Sequence, residues 1–211
     1  PGALLTPGTT LDISPPALPF NDDTVLVNGD VGAAQASYLV IGDDTLADTW
    51  AAQNFDDSGW ESGPLGFGFE NSGDDYEPLV RTRIEPNAVH PGSTTLLLRT
   101  EFDVQNAAEL QNHNLVLRMK YDDGFVAYLN GTEVARANIN GQPGWDSAST
   151  ASHPDAAAVE FEDFDITNFQ NLLLTGDNVL AIHGLNRTRS SADFLILPEL
   201  TAETSTGIVT V

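Results

Sequence analysis

Two groups of side chains in this sequence have the chemistry to hold a sugar or a hard cation. Trp145 and Asp146 lie in a stretch without periodic pattern, and Asn186, Arg187 and Arg189 follow an apolar run. An aromatic face suits the apolar side of a pyranose, and planar amide, carboxylate and guanidinium groups suit its hydroxyls. These five are the expected carbohydrate contacts, provided that their loops share one rim. Arg187 and Arg189 have an equal alternative as partners for nearby acids. Asp43 and Asp44, joined by Glu199 from far along the chain, are the expected calcium ligands, because calcium takes carboxylate and carbonyl oxygens in flexible loops. Asp48 follows closely, but the twelve-residue EF-hand pattern is missing. The competing reading of Glu199 is a cap on an exposed strand end.

Catalytic patterns are weaker. His90, His113, His153 and His183 are far apart in sequence and form no HExxH pair; no spacing argues for zinc. His183 shares a strand face with Val179, Ala181 and Leu185 and is expected to be a satisfied structural histidine. Ser58, Ser190 and Ser191 lack a nucleophile elbow, and no glycine pattern leads from a strand into a helix. Asp-Asp pairs at 22–23, 43–44, 56–57, 74–75 and 122–123 fall mostly where turns are expected, so they read as solvated acidic loops. A hydrolytic carboxylate pair needs a fixed separation and environments that split its pKa values, which adjacent aspartates in turns do not supply. No catalytic residue is assigned.

The elements that must position these groups are strands. Tyr121–Arg136 reads YDDGFVAYLNGTEVAR: Phe125, Ala127 and Leu129 alternate with Val126 and Tyr128, and Asn130-Gly131 supplies a two-residue hairpin turn into 132–136. Asp122-Asp123-Gly124 reads as a second turn, out of a strand over 115–121, making three adjacent antiparallel strands. Further strands are expected at 38–41, 81–84, 94–104, 161–166, 179–185 and 194–197, with a helical turn at 167–174. Residues 63–69 read as an irregular glycine-rich arm, 138–158 as a long loop of the kind that carries binding surfaces, and 207–211 as an edge strand or the start of another module. Eight or more strands without interleaved long helices predict an all-β sandwich of two antiparallel sheets over 37–211, with 1–36 as an N-terminal linker or loosely packed extension.

The 211 residues carry 31 Asp and Glu against 8 Lys and Arg, a net charge of −23. Nucleic acid is thereby excluded as an expected partner, since phosphates would meet like charge. Cysteine is absent, which removes disulfides and thiolate metal sites without excluding export. No apolar run reaches transmembrane length and no signal peptide is visible. The chain begins at Pro1, so a processed protein or an excised fragment is expected. Asn130-Gly131-Thr132 and Asn186-Arg187-Thr188 match the N-glycosylation triplet, although Asn130 already has a turn role.

FDDSGW at 55–60, GPLGFG at 63–68, RTEFDV at 99–104, the 121–136 segment, TGDNVLAIHGLN at 175–186 and SSADFLILPEL at 190–200 occur in an order that resembles bacterial extracellular modules with the galactose-binding-like jelly-roll fold. These modules are similar to sandwich and carbohydrate-binding domains attached to secreted hydrolases. The resemblance implies that Asp56, Asp57, Asp122 and Asp123 serve the fold, and that a calcium site near the chain ends is common. It carries no ligand motif onto Trp145 or Arg187. Gly184 departs from the family pattern and marks either a close approach or a bulge. The resulting expectation is a non-catalytic, carbohydrate-binding or targeting module of a larger secreted or cell-surface bacterial protein, with a glycan and neighbouring domains of the same chain as partners. Alternatives are a structural or adhesive spacer without a sugar site, and a glycan-active enzyme domain.

Overall fold

The computed structural model describes residues 23–29, 34–45, 49–73 and 76–204. Its strands are β1 (Thr24–Val27), β2 (Gln35–Leu39), β3 (Glu61–Pro64), β4 (Phe67–Glu70), β5 (Thr82–Arg83), β6 (Thr95–Val104), β7 (His113–Asp122), β8 (Gly124–Leu129), β9 (Thr132–Ala137), β10 (Glu162–Asp165), β11 (Gly176–Leu185) and β12 (Asp193–Thr204). Two four-residue helices, α1 (Pro86–Val89) and α2 (Asp155–Ala158), and two 3-10 turns fill the connections. One sheet runs β10-β7-β12-β4-β5, with β1 also on β12; the other runs β3-β2-β6-β11-β8-β9. The pairings are antiparallel except for β4 with β5. This is the all-β two-sheet sandwich that the alternation patterns predict.

Strand parity orients the side chains. A Cβ placed on Gly184 of β11 would lie 2.7 Å from Ile196 and 3.0 Å from the Phe194 ring of β12. Hence Gly184, Ile182 and Leu180 face the opposite sheet, and His183, Ala181 and Val179 point outward. The inward set joins Phe125, Ala127, Leu129, Leu96, Leu98, Leu117, Met119 and Leu200 in the main core. The ladders on both sides of Gly184 keep register, so the residue permits a close inter-sheet approach and marks no bulge.

The 122–124 turn does not join neighbouring strands. β7 pairs with β10 and β12, whereas β8 pairs with β11 and β9 in the opposite sheet. Only β8 and β9 form the expected hairpin, around Asn130 (φ 50°) and Gly131 (φ 89°), the positive values of a two-residue hairpin turn. The chain crosses between sheets at Asp122-Asp123, and both aspartates are consequently buried rather than solvated. Residues 63–69 are likewise no irregular arm, since they contain half of β3 and most of β4. Thr24–Val27, placed in the extension by the sequence division at 36/37, pairs with β12 as an edge strand, and its Val27 enters the core. The expected edge strand at 207–211, most of the N-terminal extension, Asp48 and the 74–75 pair lie outside the described residues.

Outward-facing residues of the β6-β11-β8 sheet form a second apolar cluster: Leu97, Val126, Tyr128, Val179, Ala181 and Leu185 pack with Ile41, Trp50 and Ala51. Residues 49–60 cover part of this face. Arg99, 1 % exposed on β6, holds that cover in place. Its Nε donates to Asp57 Oδ2 at 2.8 Å, Nη1 donates to the Trp50 and Ala52 carbonyls at 2.6 and 2.9 Å, and the guanidinium lies over Phe55. A planar five-donor group can satisfy a carboxylate and several carbonyls at once. FDDSGW and RTEFDV are therefore two halves of one staple.

Candidate functional site

The outer face of the second sheet holds a cavity of about 250 Å³ bordered by Ile41, Asp43, Asp44, Trp50, Ala51, Leu97, Tyr128, Gly131, Gln142, Pro143, Gly144, Trp145 and His183. Its floor comes from β6, β8 and β11, whose outward side chains Leu97, Tyr128 and His183 follow from strand parity. One wall is Trp50, fixed edge-on to Tyr128 and His183 with ring centroids 5.6 and 6.1 Å away. The opposite wall is the turn at 144–147. Two adjacent threonines at the start of β6 position it: Thr95 Oγ1 donates to the Trp145 carbonyl at 2.8 Å, and Thr94 Oγ1 to the Ser147 carbonyl at 2.5 Å. Trp145 itself is half-buried and packs on the second cluster.

His183 is 3 % exposed, and its Nε2 has no hydrogen-bond partner. Burial pulls its pKa down to about 3, so the imidazole is neutral at ordinary pH and carries one donor and one acceptor. The satisfied structural histidine expected from the strand pattern is instead an unsatisfied one beside open volume. Burial pushes the Tyr128 phenol up to about 12, leaving a neutral hydroxyl. Asp43 and Asp44 supply the charge at the rim. Hydrogen bonds from the Thr45 hydroxyl and backbone N–H hold the Asp43 carboxyl below its usual range, so it is ionised. The side chain of His90, after α1, adjoins Gly42 and contributes further in the same direction.

The predicted sugar contacts separate. Trp145 lines the large cavity, and Asp146 stands exposed beside it in the same turn. Asn186 and Arg189 line a smaller cavity of about 130 Å³ with Glu85, Asn87, Ser93 and Thr188. Gly92 lies between the two, its Cβ position 3.8 Å from the Arg189 guanidinium carbon and 3.9 Å from the Trp145 ring. Asn186 is 3 % exposed and donates to the Asp193 carbonyl at 3.1 Å, which makes it a strut. Arg187 donates from Nη1 to the Ser149 carbonyl at 2.9 Å and straps the long loop down. The single shared rim is thus replaced by one aromatic cavity and a neighbouring polar one. Sequence reasoning missed Trp50, Tyr128 and Gln142 and kept ligand contact by His183 as the lesser alternative; the available signal was the outward parity of Tyr128 and His183 on strands whose other face was apolar.

Asp43, Asp44 and Glu199 do not meet. By parity with Ile196, Glu199 points away from the second sheet, and its Oε1 accepts from Arg118 Nη1 at 2.6 Å. Both sheets of the sandwich separate it from Asp43 and Asp44, so the three cannot share one ion. Among the described residues no group of three or more His, Asp or Glu side chains is placed to hold a metal ion.

A second set of acids is buried where β7 crosses to β8. Asp123 accepts backbone N–H groups from Arg187 at 2.7 Å and His153 at 3.1 Å. Asp122 is 2 % exposed with Oδ2 unpartnered, and burial followed by the neighbouring Asp123 and Asp193 pushes its carboxyl well above the carboxylate range. Burial also raises Asp193, with Asp155 and Glu70 adding to it. The fully buried Tyr76 hydroxyl faces the same acids and has no partner. Neither Asp122 nor Tyr76 lines either cavity described above.

No family model and no curated protein matches the chain. Solved structures similar in fold include a Bacteroides uniformis beta-glucuronidase at 15% identity and TM-score 0.49, covering 86% of this chain and 18% of that one. A beta-glucuronidase from an uncultured Clostridium sp. is similar at 13% identity and TM-score 0.49, over 87% and 29%. A glycosyl hydrolase family 2 member from Bacteroides cellulosilyticus gives 13% identity and TM-score 0.47, over 83% and 20%. The chain spans less than a third of the length of each. No helix among the described residues is long and apolar enough to cross a membrane.

Proposed function

We propose that this sandwich is a non-catalytic module that binds a glycan in the cavity on the outer face of the β6-β11-β8 sheet. The observation that carries this reading is one small cavity combining a half-open Trp145, a fixed Trp50, a neutral Tyr128 hydroxyl, an unpartnered buried His183 nitrogen and the polar rim of Asp43, Asp44 and Gln142. An aromatic face receives the apolar side of a sugar ring, and the surrounding donors and acceptors orient its hydroxyls. At about 250 Å³, the cavity lies just under the ~300 Å³ where pockets for larger ligands begin, which suits a single ring of a longer chain. The non-catalytic reading is favoured by the ionised state of Asp43, which does not suit a proton donor, and by the lining, in which the carboxylates among the described residues are Asp43 and Asp44, adjacent on one loop. A role in a larger secreted or cell-surface bacterial protein, with neighbouring domains as further partners, belongs to the same proposal.

Isothermal titration against a panel of oligosaccharides tests it. Binding should fall at least tenfold, about 1.4 kcal/mol, in Trp145→Ala and partly recover in Trp145→Phe. Absence of binding to every glycan by the unaltered domain would favour the spacer reading, and release of new reducing ends would establish the enzyme reading.

A further inference from the structure

The cavity lining has an uneven charge inventory. Among the described residues Asp43 and Asp44 are its only charged side chains and no Lys or Arg lines it, and His183 is neutral. Around it the whole chain carries −23. A uronate or sulfated sugar would bring an anion to two carboxylates, with the guanidinium groups outside the lining already engaged or set back, Arg136 paired with Glu133 and Arg189 beyond Gly92, whereas a cation would meet both carboxylates and the faces of aromatic rings. Ammonium groups are attracted to Trp and Tyr faces by the ring quadrupole, more strongly where water is excluded. Trp50 is already committed to Tyr128, His183 and Trp60, which leaves Trp145 with the open face.

Resting on the glycan reading above, we infer that the preferred unit is a sugar bearing a free, protonated amine, a 2-amino-2-deoxyhexose rather than a neutral hexose, an N-acetylated one or a uronate. The ammonium donates to the Asp43 and Asp44 carboxylates at the mouth. The ring lies against Trp145, and its hydroxyls meet Tyr128, Gln142 and the free nitrogen of His183. That nitrogen matters independently of the acids: it is a buried, unpartnered polar atom of a residue that lines the cavity, and a ligand hydroxyl reaching it would relieve the cost that such an atom imposes. Asp43 is also prearranged for the role, because the Thr45 hydrogen bonds fix its carboxylate on the loop before any ligand arrives.

The test compares tetrasaccharides of glucosamine, N-acetylglucosamine and glucose by isothermal titration at pH 6. Glucosamine oligomers should bind at least tenfold more tightly, and the advantage should disappear in Asp43→Asn/Asp44→Asn while binding of the glucose oligomer persists. Glu109→Gln/Glu160→Gln removes two negative charges elsewhere on the surface and should retain the preference. Equal binding of the three oligomers overturns the amine assignment and leaves the glycan site standing. An equal loss of preference in the two double variants overturns it too, since bulk charge would then be the cause. Failure of all three to bind overturns the amine assignment as well, and the glycan site itself falls when the wider oligosaccharide panel also fails to bind.

Discussion

The cavity face and the acidic crossover differ in what surrounds their unpartnered buried polar atoms. His183 lines the cavity of about 250 Å³ walled by aromatic rings while its Nε2 stays buried without a partner, whereas Asp122 and Tyr76 line neither cavity and their orphaned oxygens face further acids. Both arrangements cost free energy in the folded state. The first orphaned atom belongs to a residue that lines one of the two described cavities, so the buried polar group is proposed as a binding contact at His183 and treated as a stability cost at Asp122.

The largest expected effect tests how the cavity face is built. Arg99→Ala leaves Asp57 and two carbonyls without their donor and should lower stability by about 3–5 kcal/mol, read as a shift in the urea midpoint. The 49–60 cover carries Trp50, so glycan binding should be lost with it. Asp57→Asn keeps the bonds to the carbonyls and should cost less than half as much. If Arg99→Ala unfolded no more readily than the unaltered protein, the cavity wall would have to be held by apolar contacts alone.

Next in size are two pH dependences of opposite sign. His183 is depressed in the fold from its ordinary value near 6.5 to about 3, so its contribution is present above the unfolded value and is lost as pH falls through the window between them. From pH 7 to 5 that loss amounts to about 2 kcal/mol, and His183→Phe should flatten it. Asp122 is raised, so its contribution is full below the unfolded value near 4 and is lost as pH rises toward its folded value. Asp122→Asn supplies a neutral side chain of the same shape and should raise stability at pH 8 by about 1–3 kcal/mol, with the gain vanishing toward pH 4. Thermal unfolding of both variants across pH 4–8 separates the two regions. Parallel slopes would mean that the buried acids and the imidazole do not behave as distinct sites.

What the sequence made legible follows the range of the interactions. Alternation at Phe125–Leu129 and the Asn130-Gly131 turn are local, and both appear in the fold as read. The sandwich class follows from repeating that signal. By contrast, the 122–124 turn looks local but is decided by where β7 and β8 find partners, and those partners, β12 and β11, lie more than fifty residues on. Arg99 is invisible as a staple for the same reason, since its bonds reach back 42 to 49 positions. Of the expected sugar contacts, Trp145 reached the cavity because a tryptophan in an aperiodic loop has few other places to bury its ring. Arg187 was taken up by a backbone carbonyl, a common fate of long polar side chains beside buried loops, whereas Asn186 gives its amide N–H to one and keeps a buried Oδ1 without a partner while lining the polar cavity. Asp43 and Asp44 were singled out as calcium ligands with Glu199, and the fold instead brings the two aspartates to the cavity and pairs Glu199 with Arg118 on the other sheet.

The smallest effect probes whether the two regions are coupled through the strand between them. Gly184 follows His183 on β11 and pairs with Phe125, just beyond the acidic crossover. Its missing side chain lets Ile196 and Phe194 approach from the other sheet, and the added carbon of Gly184→Ala would fall 2.7 Å from Ile196 Cγ1. Side-chain rotation at Ile196 relieves part of that clash, so the cost should be about 1–2 kcal/mol, at the lower end for overpacked cores. The strain lies on the inner face, while His183 faces outward. Glycan affinity should therefore change by less than about twofold at temperatures where the variant is fully folded. A loss of binding in step with the loss of stability would show that the cavity depends on the spacing of the two sheets, and that β11 transmits strain from its inner face to its outer one.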